Sequence, residues 1–211
     1  MPTKKVLIIG ASGSGKSCSL RNLNEKETAV IKCINKELPF KKGDVKFKSM
    51  VCNRAEDVVK TIGAILQKAP HIKNIVIDDL VYLSVSSFMN RSKEKGFEKF
   101  TDLANELYSV LTLPETVNRD DITFIYLTHS ETNPTTMETN VRTIGKVISE
   151  KVVPEGLFTV VLEATILDGE YKFLTHNITG SSVVKSPMGM FEEDYIDNDM
   201  TLVLNAIKEY Y

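Results

Sequence analysis

Val6-Leu7-Ile8-Ile9-Gly10-Ala11-Ser12-Gly13-Ser14-Gly15-Lys16-Ser17 is the stretch on which the reading of this chain turns. Val6 to Ile9 is an unbroken run of aliphatic residues with no polar alternation. Such a run predicts a short strand buried on both faces, as in the centre of a parallel sheet. The residues behind it satisfy G-x-x-x-x-G-K-[ST] at every fixed position. Glycines at these spacings let the backbone curl until successive N–H groups converge on one anionic centre. A helix predicted from Lys16 to about Leu23 adds partial positive charge at its start. The pattern implies a nucleoside triphosphate held by Gly10, Ala11, Ser12, Gly13, Ser14, Gly15, Lys16, Ser17 and Cys18. In it Lys16 reaches the β- and γ-phosphates and the Ser17 hydroxyl ligates Mg²⁺.

Outward from this stretch, short apolar runs alternate with amphipathic ones. Strands are predicted at 29–34, 74–78 and 122–127. Residues 40–51, rich in lysine, read as a loop with room for a short edge strand. Asn53 and Glu56 have capping-box spacing. Ala55, Val58, Val59, Ile62, Leu66 and Ala69 then share a helical face that ends at Pro70. A helix over 97–113 directs Phe100, Leu103, Ala104, Leu107, Val110 and Leu111 inward and stops at Pro114. Residues 130–143 are polar and read as a loop. Asp168-Gly169 between two strand-like runs is a hairpin signal. A last helix begins near Asp197-Asn198-Asp199 and is expected to bury Leu202, Val203, Ala206 and Ile207. With no linker, repeat or low-complexity segment, residues 1–211 are expected to form one α/β domain, its mainly parallel sheet flanked by helices and extended by a C-terminal antiparallel hairpin.

Three polar groups fall at the C-terminal ends of predicted strands. Asp78 ends Ile75-Val76-Ile77, where a carboxylate can hold the water shell of a phosphate-bound Mg²⁺. Asp79 follows it, either to orient an attacking water or to cap the helix behind it. Glu37, beyond the second strand, is another candidate base, or one charge in a solvated loop with Lys36, Lys41 and Lys42. Thr128-His129 ends the strand expected between the two motif strands, where a polar side chain can sense a γ-phosphate.

The charges nearly cancel, 26 Lys+Arg against 28 Asp+Glu. A basic nucleic-acid coat protein is excluded; contact with DNA would need a local patch. Cys18, Cys33 and Cys52 have no CxxC spacing, which argues for buried thiols in a reducing cytoplasm. No apolar run reaches the ~20 residues of a membrane span, so no membrane partner is expected. The first nine residues resemble a secretory leader only superficially and read as a strand. A nucleotide kinase, which would share the glycine-rich loop, would need a lid of several arginines to clamp two substrates; Arg21, Arg54, Arg91 and Arg142 are scattered. A non-hydrolysing ATP-binding adaptor is the other alternative.

The loop, the Ile75-Val76-Ile77-Asp78-Asp79 strand and Lys185-Ser186-Pro187-Met188-Gly189-Met190-Phe191 resemble the phage nucleotide-binding P-loop proteins, a group that includes the Sak-type single-strand annealing ATPases with a reduced RecA-like core. The resemblance spans most of the chain. It implies an ATP- and Mg²⁺-dependent, slowly hydrolysing recombination protein in the host cytoplasm. Such a protein assembles as a homo-oligomer, binds single-stranded DNA and works with a single-strand-binding protein. In such a core, DNA would meet the segments near Arg91, Lys93 and Lys95 and near Lys146. Neither segment has interleaved aromatics for base stacking. Lys185 and Arg142 are candidates for a cation reaching a neighbour's γ-phosphate.

Overall fold

The computed structural model describes residues 3–41 and 43–211; Met1, Pro2 and Lys42, which fall in two of the segments read above, lie outside it. Eight strands form one sheet in the order β10-β9-β8-β1-β5-β4-β2-β3. The strands are β1 (Lys4–Ile9), β2 (Thr28–Lys32), β3 (Lys48–Val51), β4 (Asn74–Asp78), β5 (Thr123–Leu127), β8 (Val160–Leu167), β9 (Glu170–Leu174) and β10 (Tyr195–Asp197). From β8 across to β3 every pair is parallel, and the β8–β9 and β9–β10 pairs are antiparallel. The C-terminal hairpin and the edge strand β3 stand as expected. β5 lies between β1 and β4, with Lys4 opposite Thr123 and Asn74 opposite the same threonine.

Alternation along the strands divides the core in two. Leu7, Ile9, Ile31, Ile77, Phe124 and Tyr126 face α1 (Ala55–Lys68), α2 (Val81–Asn90) and α3 (Glu98–Thr112). Val6, Ile8, Val30, Val76, Ile125 and Leu127 face the turn at 17–22 and α4 (Met200–Tyr210). Each aliphatic side chain buried this way contributes about 1.5–3 kcal/mol relative to exposure. The buried Tyr126 hydroxyl donates to the Val110 carbonyl at 2.8 Å, so α3 is fastened to β5 without an unpaired phenol.

Several local expectations fail for identifiable reasons. The helix expected from Lys16 is a short 3-10 segment of six residues, Ser17–Asn22. Ser19 donates its hydroxyl to the Lys16 carbonyl at 2.6 Å, the kind of local bond that competes with a regular helix. The capping box does not form: Arg54 occupies the N-cap without a side-chain bond and its guanidinium pairs with Glu56. In α1, Ile65 joins the buried face, while Val59, Leu66 and, just past the helix, Ala69 are half-buried and pack against the same core as expected. Phe100 is also only half-buried, and Leu202 points outward, its place in the core taken by Met200. The polar stretch at 130–143 contains its own small antiparallel sheet, β6 (Ser130–Thr132) and β7 (Thr139–Val141). Arg119, a fifth arginine, is paired with Asp121, so no arginine cluster arises from it. Among the described residues no helix is long and apolar enough to cross a membrane.

Candidate functional site

The glycine-rich loop joins β1 to the 3-10 turn at the C-terminal edge of the parallel strands, where crossing connections leave a crevice. Two glycines here are required by contact. A Cβ on Gly10 would stand 2.5 Å from the Ser14 hydroxyl oxygen and 2.6 Å from the Ala164 carbonyl. Gly15 has φ +96°, and a Cβ there would stand 2.8 Å from Cδ1 of Tyr171. The loop is closed by its own lysine: Lys16 Nζ donates to the Gly10 and Ala11 carbonyls at 2.8 and 2.7 Å. Burial lowers the Lys16 pKa to about 8, against the opposing charge of Asp79.

Ser17 and Asp78 come together as expected, the Ser17 hydroxyl donating to Asp78 Oδ1 at 2.9 Å. Asp78 Oδ2 is buried with no hydrogen-bond partner among the described residues. Burial, followed by the negative charge of Asp79, raises the Asp78 pKa above the usual carboxylate value. An orphaned carboxylate oxygen beside a serine hydroxyl suits a hydrated divalent cation whose remaining ligands are substrate oxygens. Among the described residues no group of three or more His, Cys, Asp and Glu could hold a metal alone.

Asp79 is the strained residue of the site. Its φ is +60°, in the left-handed region that non-glycine residues seldom occupy. The turn survives because it is bolted on both sides: Leu80 N–H donates to the Leu127 carbonyl at 2.9 Å, and Cys33 N–H to the Asp78 carbonyl at 3.0 Å. The Asp79 side chain does not cap α2, whose N-cap is Leu80. Buried, it pairs with Lys36, and His129 Nε2 stands 3.5 Å from its other oxygen. The Lys36 pKa is raised: burial opposes the charge, but hydrogen bonding and attraction to Asp79 outweigh it. His129 shifts the other way, through burial and the positive charge of Lys16, and is mainly neutral near pH 7.

Ser12, Gly13, Gly15, Lys16, Ser17, Cys18, Lys36, Glu37, Pro39, Asp79, His129 and Tyr171 line one cavity of about 280 Å³. Glu37 is exposed at its wall and makes no ion pair or side-chain hydrogen bond among the described residues. Cys18 is half-buried and faces the cavity, whereas Cys33 and Cys52 are buried as expected. Thr128 is buried beneath His129, its N–H donating to the Ile8 carbonyl at 2.9 Å, and does not line the cavity. Arg142 is near: its N–H donates to the His129 carbonyl at 2.8 Å and its side chain is exposed.

The other candidates lie elsewhere. Lys185 is exposed and its backbone bridges Val161 at the start of β8. The segment that carries it is largely structural, for Met190 and Phe191 are buried while Met188 is exposed. Arg91 is not a free cation: its guanidinium holds Glu94 at 2.8 Å and Asp102 at 2.7 Å. Lys93, Lys95 and Lys146 are exposed. Sequence reasoning missed Lys36, Tyr171 and Asn198. Asn198 is buried under Gly15, both its amide atoms without a partner among the described residues. Only the aspartate cluster around Asn198 gave a local signal, and that signal reported a helix start.

No protein-family model matches this chain, and no curated protein matches it. Its chemistry must be read from the site.

Proposed function

We propose that the chain is a P-loop ATPase with a RecA-like core. The observation that carries the reading is the bond between Ser17 and Asp78 at the mouth of a complete glycine-rich loop whose lysine is free to exchange two backbone carbonyls for phosphate oxygens. The loop N–H groups bind the β-phosphate; the 3-10 turn behind them is too short to add a sizeable dipole. Ser17 and Asp78 hold the Mg²⁺, which supplies charge neutralisation for the transferring phosphoryl group when bound. Lys36 is drawn across the cavity by Asp79, in place to meet γ-phosphate oxygens. A carboxylate engaged with a lysine is a poor proton acceptor, which favours unpaired Glu37 as the base and assigns Asp79 a positioning role. His129, neutral and beside Asp79, is the better placed of the two strand-end sensors.

From the resemblance of residues 185–191 and of the loop we infer that turnover is slow and serves DNA recombination or strand annealing. The working form is then an ATP-dependent homo-oligomer on single-stranded DNA in the host cytoplasm, partnered by a single-strand-binding protein. Arg142 and Lys185, both exposed, are the candidates for a cation that reaches a neighbour's γ-phosphate in that oligomer.

Titration calorimetry with Mg-ATP tests the binding claim: Lys16→Ala should lose most affinity while keeping its circular dichroism spectrum. Single-turnover hydrolysis, with and without single-stranded DNA, tests the chemistry. Glu37→Gln should bind ATP and turn over at least ~10²-fold more slowly, as expected for a lost general base. If Asp79→Asn alone stops turnover, the base assignment is reversed. If wild type binds ATP and never hydrolyses it, the protein is an adaptor.

A further inference from the structure

We propose that Tyr171 is the platform on which the base of a purine nucleoside triphosphate stacks. The inference rests on the nucleotide-binding reading above and names the part of the ligand which that reading leaves unassigned. Lys16, Ser17, Lys36, Asp79 and His129 give the cavity charge and hydrogen-bonding groups suited to phosphates and a cation. What remains of the lining beyond the loop backbone and Glu37 is Cys18, Pro39 and the Tyr171 ring.

The ring is placed for this task. Its Cδ1 atom packs over Gly15, at 2.8 Å from where a Cβ would stand, so only glycine lets the ring lie directly against the loop. Even so, Tyr171 is 49% exposed, which leaves much of the side chain open to a ligand. Its backbone is fixed. Tyr171 pairs with Ile166 across the β8–β9 hairpin, closed by Asp168 and Gly169 at positive φ. The Tyr171 carbonyl accepts from Asn198 N–H at 3.2 Å, and the Asn198 carbonyl accepts from Arg21 Nη1 at 2.5 Å. The hairpin, the start of α4 and the turn after the loop are thereby tied into one wall. Neighbouring Lys172 points away, as strand alternation requires, and is engaged with Glu170 and Asp197. A rigidly mounted, half-open aromatic beside a phosphate cradle is a stacking surface, and purines offer it the larger π-face.

Calorimetry on the full chain with Mg-ATP, Mg-CTP and inorganic tripolyphosphate tests the proposal. Tyr171→Ala should lose ATP affinity by about 10- to 100-fold, the range expected for one lost base–aromatic stack. Its affinity for CTP should fall less, and for tripolyphosphate not at all. Tyr171→Phe should bind ATP like wild type. The proposal is overturned if Tyr171→Ala binds ATP normally, or if it loses ATP and tripolyphosphate equally, because the ring would then support only the loop. Failure of the underlying reading looks different: wild type would bind neither ATP nor tripolyphosphate, or Lys16→Ala would bind both undiminished.

Discussion

Lys16 gives the molecule two pH dependences of opposite sign. Its pKa is about 8 in the folded chain against 10.5 for an ordinary lysine. Between those values the unfolded chain binds more protons than the folded one, so this group makes the ligand-free protein more stable as pH rises from about 8 to 10.5. Below pH 8 it is protonated in both states and contributes no slope. Phosphate binding needs the ammonium form, so ATP affinity should fall as pH rises above 8, by up to about tenfold per unit. Denaturant midpoints and calorimetric affinities measured from pH 7 to pH 9 should therefore move in opposite directions. In Lys16→Ala this residue's part of the stability slope should vanish. Parallel slopes in wild type would remove Lys16 from the phosphate site.

The connection between α2 and α3 separates cations that hold the fold from cations that are free. Arg91 is spent on Glu94 and Asp102, whereas Lys93 and Lys95 are exposed. Arg91→Ala should lower the melting temperature slightly and leave DNA binding alone. Lys93→Glu with Lys95→Glu should weaken single-stranded DNA binding without changing ATP affinity, as filter binding and calorimetry on the same preparations would show. Equal DNA binding by both variants would move the DNA surface elsewhere. The centre of the sheet was legible in the sequence because β1, β2, β4 and β5 are buried on both faces and advertise themselves as apolar runs; β3, mostly exposed, and β10, three residues long and half exposed, do not. The loop, Ser17 and Asp78 were legible because their spacing is local or ends a strand. Lys36 could be recognised only once β2 was known to lie beside β4, and Tyr171 only once the C-terminal hairpin was known to reach Gly15. The missing cap at Arg54 and the 3-10 form of residues 17–22 turn on single side-chain contacts, beneath the reach of periodicity.

At the scale of the molecule, a net charge of −2 gives one chain no overall attraction for DNA, so a single copy is expected to bind it weakly. If assembly aligns Lys93, Lys95 and Lys146 of neighbouring copies, binding should require ATP and Mg²⁺ and rise cooperatively with protein concentration. It should also weaken steeply with salt, by about 0.7 in log–log slope for each phosphate contacted. Sedimentation and filter binding with ATP, ADP and no nucleotide would show this; tight binding by a nucleotide-free monomer contradicts it. The position of β1 bears on how any such copy comes into being. It is hydrogen-bonded on one side to β5 and on the other to β8, both far from it along the chain. The aliphatic run before Gly10 therefore gains one sheet neighbour only from residues 123–127 and the other only from residues 160–163, each more than a hundred residues away along the chain. Loop closure over such distances slows folding, so the strand that carries the glycine-rich loop should be among the last to be seated, and the site is completed only when the sheet is.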